Sequence, residues 1–437
     1  MTNNIDGNEM YELAKTLWPI NRSITGEGVR KTLKLIKNQI PILKIHEVAS
    51  GTKVFDWEVP LEWSINEAYI LDSSGNKILD FKDNNLHVVS YSVPVDKVIS
   101  LSELQKHLYS LPNQENAIPY VTSYYKKRWG FCMSESQRKK LKKGSYKVFI
   151  DSKFFEGSLT YAELLIPGLS KEEIFFSSYV CHPSMANNEL SGPVVLTQII
   201  KWLMSLRGLR YSYRLIFIPE TIGSITYLSK NIKKMKENII AGCNVTCVGD
   251  EREYSFISSR NGDSLADKHL LHILKHYEPS FKKYSFLDRG SDERQYCSPG
   301  VDLPVVTFCR SKFSEYPEYH TSLDDLNLIS PQGLTDSFNV LKHFINSFEN
   351  NQKINYTTLC EPNLGKRGLY PTLGVKDNDD ISTKRLNFLA YSDGSTLLKI
   401  AEKIGVPIWD LYIIRDELLK NNLIRVSWFY QHTVKLD

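Results

Sequence analysis

Residues 173–207, EIFFSSYVCHPSMANNELSGPVVLTQIIKWLMSLR, decide how this chain folds. An apolar run over 173–180 stops at Cys181-His182, a polar loop with two asparagines and Glu189 follows, and apolar residues then recur at helical spacing from Gly192. A short, continuous apolar run bounded by turn residues reads as a strand buried on both faces, and the stretch after it as a crossover helix leading to a parallel neighbour. The pattern repeats downstream. YSYRLIFIP (211–219), IIAGCNVTCV (239–248) and LPVVTFC (303–309) read as strands, and IGSITYLSKNIKKMK (222–236), SLADKHLLHILKHY (264–277) and SPQGLTDSFNVLKHFINSF (330–348) as helices. This order predicts an α/β core with a mostly parallel sheet and helices on both faces.

Upstream, residues 8–40 read as two helices interrupted by Pro19 and a turn at Gly26. Short strand-like pieces follow, including an alternating hairpin around DSSGNK at 72–77, so residues 55–165 read as a β-rich insertion. The core then comprises 1–54 and 166–350. After a polar linker, residues 370–437 show three short helical patterns and a final strand, LIRVSW, the order of a winged helix.

Composition narrows the function classes. With 54 basic and 50 acidic residues in 437, and no basic stripe on WDLYIIRDELLK, the charge pattern argues against DNA binding. No signal-peptide pattern and no run long enough to span a bilayer are present, which predicts a cytoplasmic protein without membrane attachment. Seven cysteines without a CxxC pair exclude a cysteine zinc knuckle and read as reduced, mostly core residues. A packing or oligomer role fits the terminal module better than nucleic acid.

Parallel sheets collect ligands at the carboxyl ends of their strands. There the sequence delivers His182, Glu220, Asp250, the pair Asp292-Glu293 and His320. Imidazoles and carboxylates together are the donor set of hydrolytic zinc, which keeps one position for water, while a nearby acid takes the proton. His182 and His320 are the candidate nitrogen ligands, Glu189 (or Asn188) and Asp250 the candidate oxygen ligands, and Glu220 the candidate base. Asp324 or Glu318 could orient His320 from nearby in the chain. His269, His272 and His276 lie at helical spacing and read as an exposed helix face rather than a metal site. In TSYYKKRWGFC, Tyr124, Tyr125, Arg128 and Trp129 read either as core or as a wall over the cleft, with Arg128 placed to grip a substrate carboxylate. Asp292, with Glu293 beside it, could hold a substrate amine, or form a salt bridge to Arg289 or Arg294.

FFSSYVCHPSMANNELSGPVVL, LIFIPETIGSITYL and YHTSLDDL resemble the ligand segments of co-catalytic zinc aminopeptidases. NRSITGEGVRKTL, DWEVPLEW, NNLHVVSYSVPV and GSDERQYCSPGVDLPVV resemble a bacterial aminopeptidase-like family with an inserted β domain and a terminal winged helix. The resemblance implies His182 and His320 as ligands, Glu220 as one member of a Glu-Glu pair, and a link to polysaccharide biosynthesis. Asn188 stands where that pattern has a bridging aspartate, and Thr246 where it has another acid, so one zinc ion is the expectation rather than two. The expected activity is hydrolysis of an amide in a small peptide, aminoacyl or amino-sugar substrate. A degenerate ligand-binding protein and a metabolite-sensing regulator are the alternatives.

Overall fold

The computed structural model describes residues 7–369 and 381–428. Its centre is an eight-stranded sheet. The strands are β1 (Lys44–Ala49), β2 (Ser158–Ile166), β3 (Glu173–Tyr179), β4 (Ser212–Ile218), β5 (Ile239–Val245), β6 (Ser255–Ile257), β7 (Lys282–Tyr284) and β8 (Val305–Cys309), and they lie in the order β1-β2-β4-β3-β5-β8-β6-β7. The central four, β4-β3-β5-β8, are parallel, and antiparallel pairings begin at β2 on one side and β6 on the other. The sheet is therefore mixed at its margins, with the predicted parallel grammar confined to its middle.

Alternation along β3 explains the layering. Ile174 and Phe176 point into one apolar cluster and Phe175 and Tyr179 into another, because successive side chains of a strand leave by opposite faces. The first cluster is closed by α1 (Gly7–Leu17), α2 (Glu27–Gln39), α3 (Ser191–Ser205), α5 (Leu265–Tyr277) and α6 (Pro331–Asn350). The second is closed by α4 (Ile222–Asn238). Each such side chain moved out of water contributes about 1.5–3 kcal/mol, so both faces must be covered. Gly192 is needed where α3 starts: a Cβ there would lie 2.2 Å from Ser178 Oγ and 2.5 Å from the Val245 carbonyl, so a side chain would push the helix off the sheet.

The insertion forms its own four-stranded antiparallel sheet from 62–71, 77–80, 95–100 and 145–155. It ends earlier than the predicted residue 165, because β2 pairs with both β1 and β4 in the core sheet. The winged-helix module also starts earlier than 370. A strand at 353–356, within the stretch read as linker, pairs with 393–396 and 424–427 beside the helices 381–390, 397–404 and 410–420. Residues 370–380 and 429–437 of that prediction lie outside the described residues. The apolar side chains Ile354, Phe388, Ile400 and Ile408 join the core's own cluster, so the module is packed onto the α/β unit.

His269 and His272 are 1% and 3% exposed, contrary to the predicted exposed face. His269 Nδ1 bonds Ser347 Oγ at 2.7 Å and its ring stacks on Phe348, while His272 Nε2 accepts the Ile408 amide at 3.0 Å from the terminal module. Among the described residues no helix is long and apolar enough to cross a membrane, and all seven cysteines are free, six of them buried.

Candidate active site

His182 leaves the sheet two residues beyond Val180, whose amide still bonds the Ile218 carbonyl of β4 at 2.8 Å. The next residues wind into one π-helical turn, Ala186–Leu190, a wide turn that recurs at functional sites. It swings Glu189 back onto His182: Oε2 lies 3.0 Å from Nδ1. The other oxygen, Oε1, pairs with Arg22 Nε at 3.1 Å, with both side chains fully buried. Arg22 also donates to the His182 carbonyl at 2.9 Å and the Leu17 carbonyl at 2.8 Å. One guanidinium from the N-terminal segment thus fixes carboxylate, imidazole and backbone together.

Asp324 pins the same turn, accepting the Asn187 and Asn188 amides at 2.6 and 2.9 Å and the Tyr316 hydroxyl at 3.0 Å. It therefore serves the turn and not His320, and Glu318 is held by both terminal nitrogens of Arg252, at 2.8 and 2.9 Å.

His320 faces His182 with ring centroids 5.4 Å apart. Its backbone sits at φ 55°, a left-handed conformation costly for a residue with a Cβ, held by the Tyr120 amide on its carbonyl at 2.8 Å and by Tyr319 stacked at 3.9 Å. Ser184 (φ 37°) and Thr221 (φ 63°) share this strain at neighbouring strand ends. Tyr120 comes from the insertion and packs T-shaped against the two imidazoles, with ring centroids 5.3 Å from His182 and 5.2 Å from His320. The insertion is tied down beside it by the Ser322 amide on the Ile118 carbonyl and the Ile118 amide on Ser322 Oγ, at 2.9 and 3.0 Å.

Glu220 completes the centre, with Oε2 3.7 Å from His182 Nε2. Burial raises its pKa and the nearby His182 and Arg294 only partly offset that. Asp292 accepts the Thr221 amide and the Ser224 hydroxyl, both at 2.8 Å, and leaves Oδ2 buried without a partner. Burial, then the charge of Glu220, pushes Asp292 up to about 8. Burial opposes charge on His182, yet Cys181 and Glu189 outweigh it and hold the imidazole well above its ordinary value. His320 goes the other way, to about 3, through burial and the charge on His182. Its Nε2 is buried with no hydrogen-bond partner.

Several candidates are committed elsewhere. Asp250 accepts Asn187 Nδ2, the Arg252 amide, and both the amide and the hydroxyl of Ser311 at 2.9–3.1 Å, which leaves neither oxygen for a ligand role. Glu189 is likewise engaged by Arg22 and His182, so it orients the imidazole rather than standing free as an oxygen donor. Cys181, His182 and Glu189 do bring donor atoms within 4.8 Å of one another, but a guanidinium already occupies the cation position there. Glu293 is fully buried and accepts the Gly290 and Ser291 amides, Asn244 and Thr307, so it braces a loop instead of meeting a substrate. Asp292 pairs with neither Arg289 nor Arg294; Arg294 reaches Thr221 Oγ1 at 2.9 Å. Arg128 gives Nη2 to the Thr122 carbonyl at 2.5 Å and lies over the Tyr109 ring, an internal role that replaces the expected grip on a substrate. Tyr125 is 60% exposed at the rim, edge-on to Trp57 at 5.4 Å.

Arg22, Tyr120 and Tyr179 were not singled out by the sequence reading. Tyr179 donates or accepts at Thr246 Oγ1 (2.5 Å) and accepts from Asn188 Nδ2 (2.7 Å), joining the two positions where acids were missing. Nothing in the spacing of the sequence marks these three. Arg22 does fall within NRSITGEGVRKTL, one of the segments that carry the resemblance.

Residues 11–351 match the family described as a domain of unknown function, DUF4910, and 352–426 match a winged helix-turn-helix family. The chain belongs to the DUF4910 family. A protein from Clostridium acetobutylicum, provisionally named a polysaccharide biosynthesis protein with an aminopeptidase-like domain, is 45% identical over 423 residues, 96% of each chain. A crystal structure from the same organism, provisionally termed a peptidase, superposes with a TM-score of 0.90 at 44% identity over 96% of both chains. A zinc aminopeptidase from Bacillus subtilis shares the fold at 14% identity, with a TM-score of 0.57 over 78% of this chain and 95% of that one. The fold of this DUF4910 protein is therefore aminopeptidase-like, with a terminal winged helix.

Proposed function

We propose that the protein is a metal-dependent hydrolase of an amide bond. The observation that carries this reading is the buried His320 Nε2, left without a partner on a ring whose centroid lies 5.4 Å from that of His182, while Glu220 Oε2 stands 3.7 Å from the His182 Nε2. An orphaned polar atom in a buried site costs about 1–3 kcal/mol, a cost that a bound group removes. Two imidazoles and a carboxylate are a composition that catalytic zinc uses, so the donor types fit; Glu220 Oε2 lies 3.7 Å from His182 Nε2, and His320 has to close in for all three donor atoms to come within 4.8 Å of one another. With Glu189 and Asp250 engaged elsewhere, His182, His320 and Glu220 are the residues that would hold the ion. Zinc so held supplies Lewis acidity and lowers the pKa of its water towards about 7.

The chain's own groups do the rest. Glu189 and Arg22 fix the ring of His182, so that its Nε2 faces Glu220 Oε2 at 3.7 Å. Asp292, with its free Oδ2 and its pKa near 8, is a carboxyl that can carry a proton beside Glu220. Tyr120 and Tyr124, bonded hydroxyl to hydroxyl at 2.5 Å, exclude water from the insertion side. One ion is favoured over two, because the Tyr179 hydroxyl and its bonds to Asn188 and Thr246 supply neutral groups where a second ion needs acids. The name of the C. acetobutylicum relative supports an aminoacyl or amino-sugar amide as substrate.

Zinc titration by calorimetry and turnover of an aminoacyl-arylamide panel test the reading. The wild type is expected to take up one zinc and hydrolyse at least one amide, while Glu220→Gln loses zinc and activity together. If Glu220→Gln keeps its zinc but not its turnover, Glu220 is the proton acceptor and not a ligand. Absence of zinc uptake by the wild type overturns the proposal.

A further inference from the structure

A cavity of about 460 Å³ shares no lining residue with the His182 centre. That volume lies within the ordinary range of small-molecule sites. Its inner wall is Arg310, only 3% exposed, with the guanidinium stacked 3.9 Å from the centroid of Tyr254. Neither Nε nor Nη1 of Arg310 has a hydrogen-bond partner, and its ion-pair partner, Asp336, stands 3.8 Å off. A buried guanidinium ordinarily satisfies its planar fork with a carboxylate or phosphate held by two bonds. Here the guanidinium is stacked, and one nitrogen on each of its two hydrogen-bonding edges, Nε and Nη1, is buried and unanswered.

The other charges select among anions. The lining cations Lys282 and Arg252 are paired with Glu253 at 2.7 Å and Glu318 at 2.8 Å, so neither adds a free charge. Glu278 accepts only from Ser280, and Asp336 from Gln332 at 2.7 Å. An incoming anion that takes Arg310 strips Asp336 of its one cation, leaving three carboxylates without a cation on the wall, Glu251, Glu278 and Asp336. A multiply charged phosphate makes that worse. A ligand that brings its own ammonium group restores the balance.

We infer that this cavity binds a small zwitterion, a free α-amino acid, with its carboxylate on the Arg310 guanidinium and its ammonium between Asp336 and Glu278. Tyr254 holds the guanidinium flat from behind, and the remaining volume takes the side chain. The site is independent of the hydrolytic centre and of whether that centre is active.

Calorimetry on the full-length protein tests it with L-leucine, L-glutamate and L-lysine, with inorganic phosphate as the competing anion. At least one amino acid is expected to bind saturably below about 10 mM, and for it the amide and the N-acetyl derivative, each lacking one charge, weaken binding by about tenfold or more. Asp336→Asn, a partly exposed position, and Arg310→Met are each expected to weaken it about tenfold or more, while Glu220→Gln leaves it within about twofold. Should Arg310→Met fail to fold by circular dichroism, Asp336→Asn decides. The inference is overturned by no saturable binding of any of the three, by phosphate binding more tightly, or by binding that survives Asp336→Asn and disappears with Glu220→Gln.

Discussion

Two pairs of histidines in this molecule have opposite surroundings. On helix α5, His269 has both nitrogens answered, Nδ1 by Ser347 and Nε2 by Asn351, and His272 accepts the Ile408 amide. At the strand ends, His182 is braced by a buried carboxylate on Nδ1 while its Nε2 faces Glu220, and His320 buries an Nε2 that nothing answers. Burial alone does not separate a structural histidine from a functional one, since His182, 4% exposed, is about as inaccessible as His269 and His272 at 1% and 3%. What separates them is the buried His320 Nε2 that nothing answers, on a ring 5.4 Å from that of His182.

The comparison can be broken at its strongest point. His320→Ala should abolish zinc uptake and amide turnover with little loss of fold, whereas His269→Ala should leave both untouched; zinc titration of the two variants checks this. Next in size is the brace behind His182. Arg22→Met leaves Glu189 buried without its cation, and denaturant unfolding should show a loss of about 3–5 kcal/mol, the range for breaking a buried pair. Glu189→Gln keeps the shape but weakens the hold on the imidazole, and metal affinity should fall about 10–100-fold, read by competition with a chelator.

The smallest effect sharpens the other side. Burial lowers His269 and His272 to about 3 from the ordinary 6.5. Folding therefore favours their neutral forms: this contribution to stability is complete above about pH 6.5 and is lost as pH falls from there towards 3. Replacing His272 with Asn should flatten that slope relative to wild type and cost about 1–3 kcal/mol at pH 7 if the Ile408 amide loses its acceptor. Urea melts at pH 7, 5 and 4 compare the two proteins.

How much of this was legible varied with the range of the contact. The helix–turn–helix start, the hairpin near residue 72 and the central β4-β3-β5-β8 strands followed from local periodicity. The margins did not: β2 continues the apolar alternation of the insertion, and only its pairing with β1 and β4 places it in the core. His182, Glu220 and His320 were found because strand ends in a parallel sheet converge by topology. Glu189 and Asp250 were given ligand roles because a carboxylate in a loop looks the same on paper whether or not it is engaged. Their partners, Arg22 and Ser311, are far from them in the chain. His269 and His272 looked exposed for the same reason, as the terminal module that covers His272 arrives 136 residues later.

The sequence by itself determined the alternation of strands and helices, and with it the end of the sheet where chemistry gathers, because both depend on patterns that repeat within a few residues. Only the tertiary structure decided which acids are free to act. A carboxylate's availability depends on which donors reach it through space, and at this site those donors come from an N-terminal arginine, a π-turn and an inserted domain that no local pattern links.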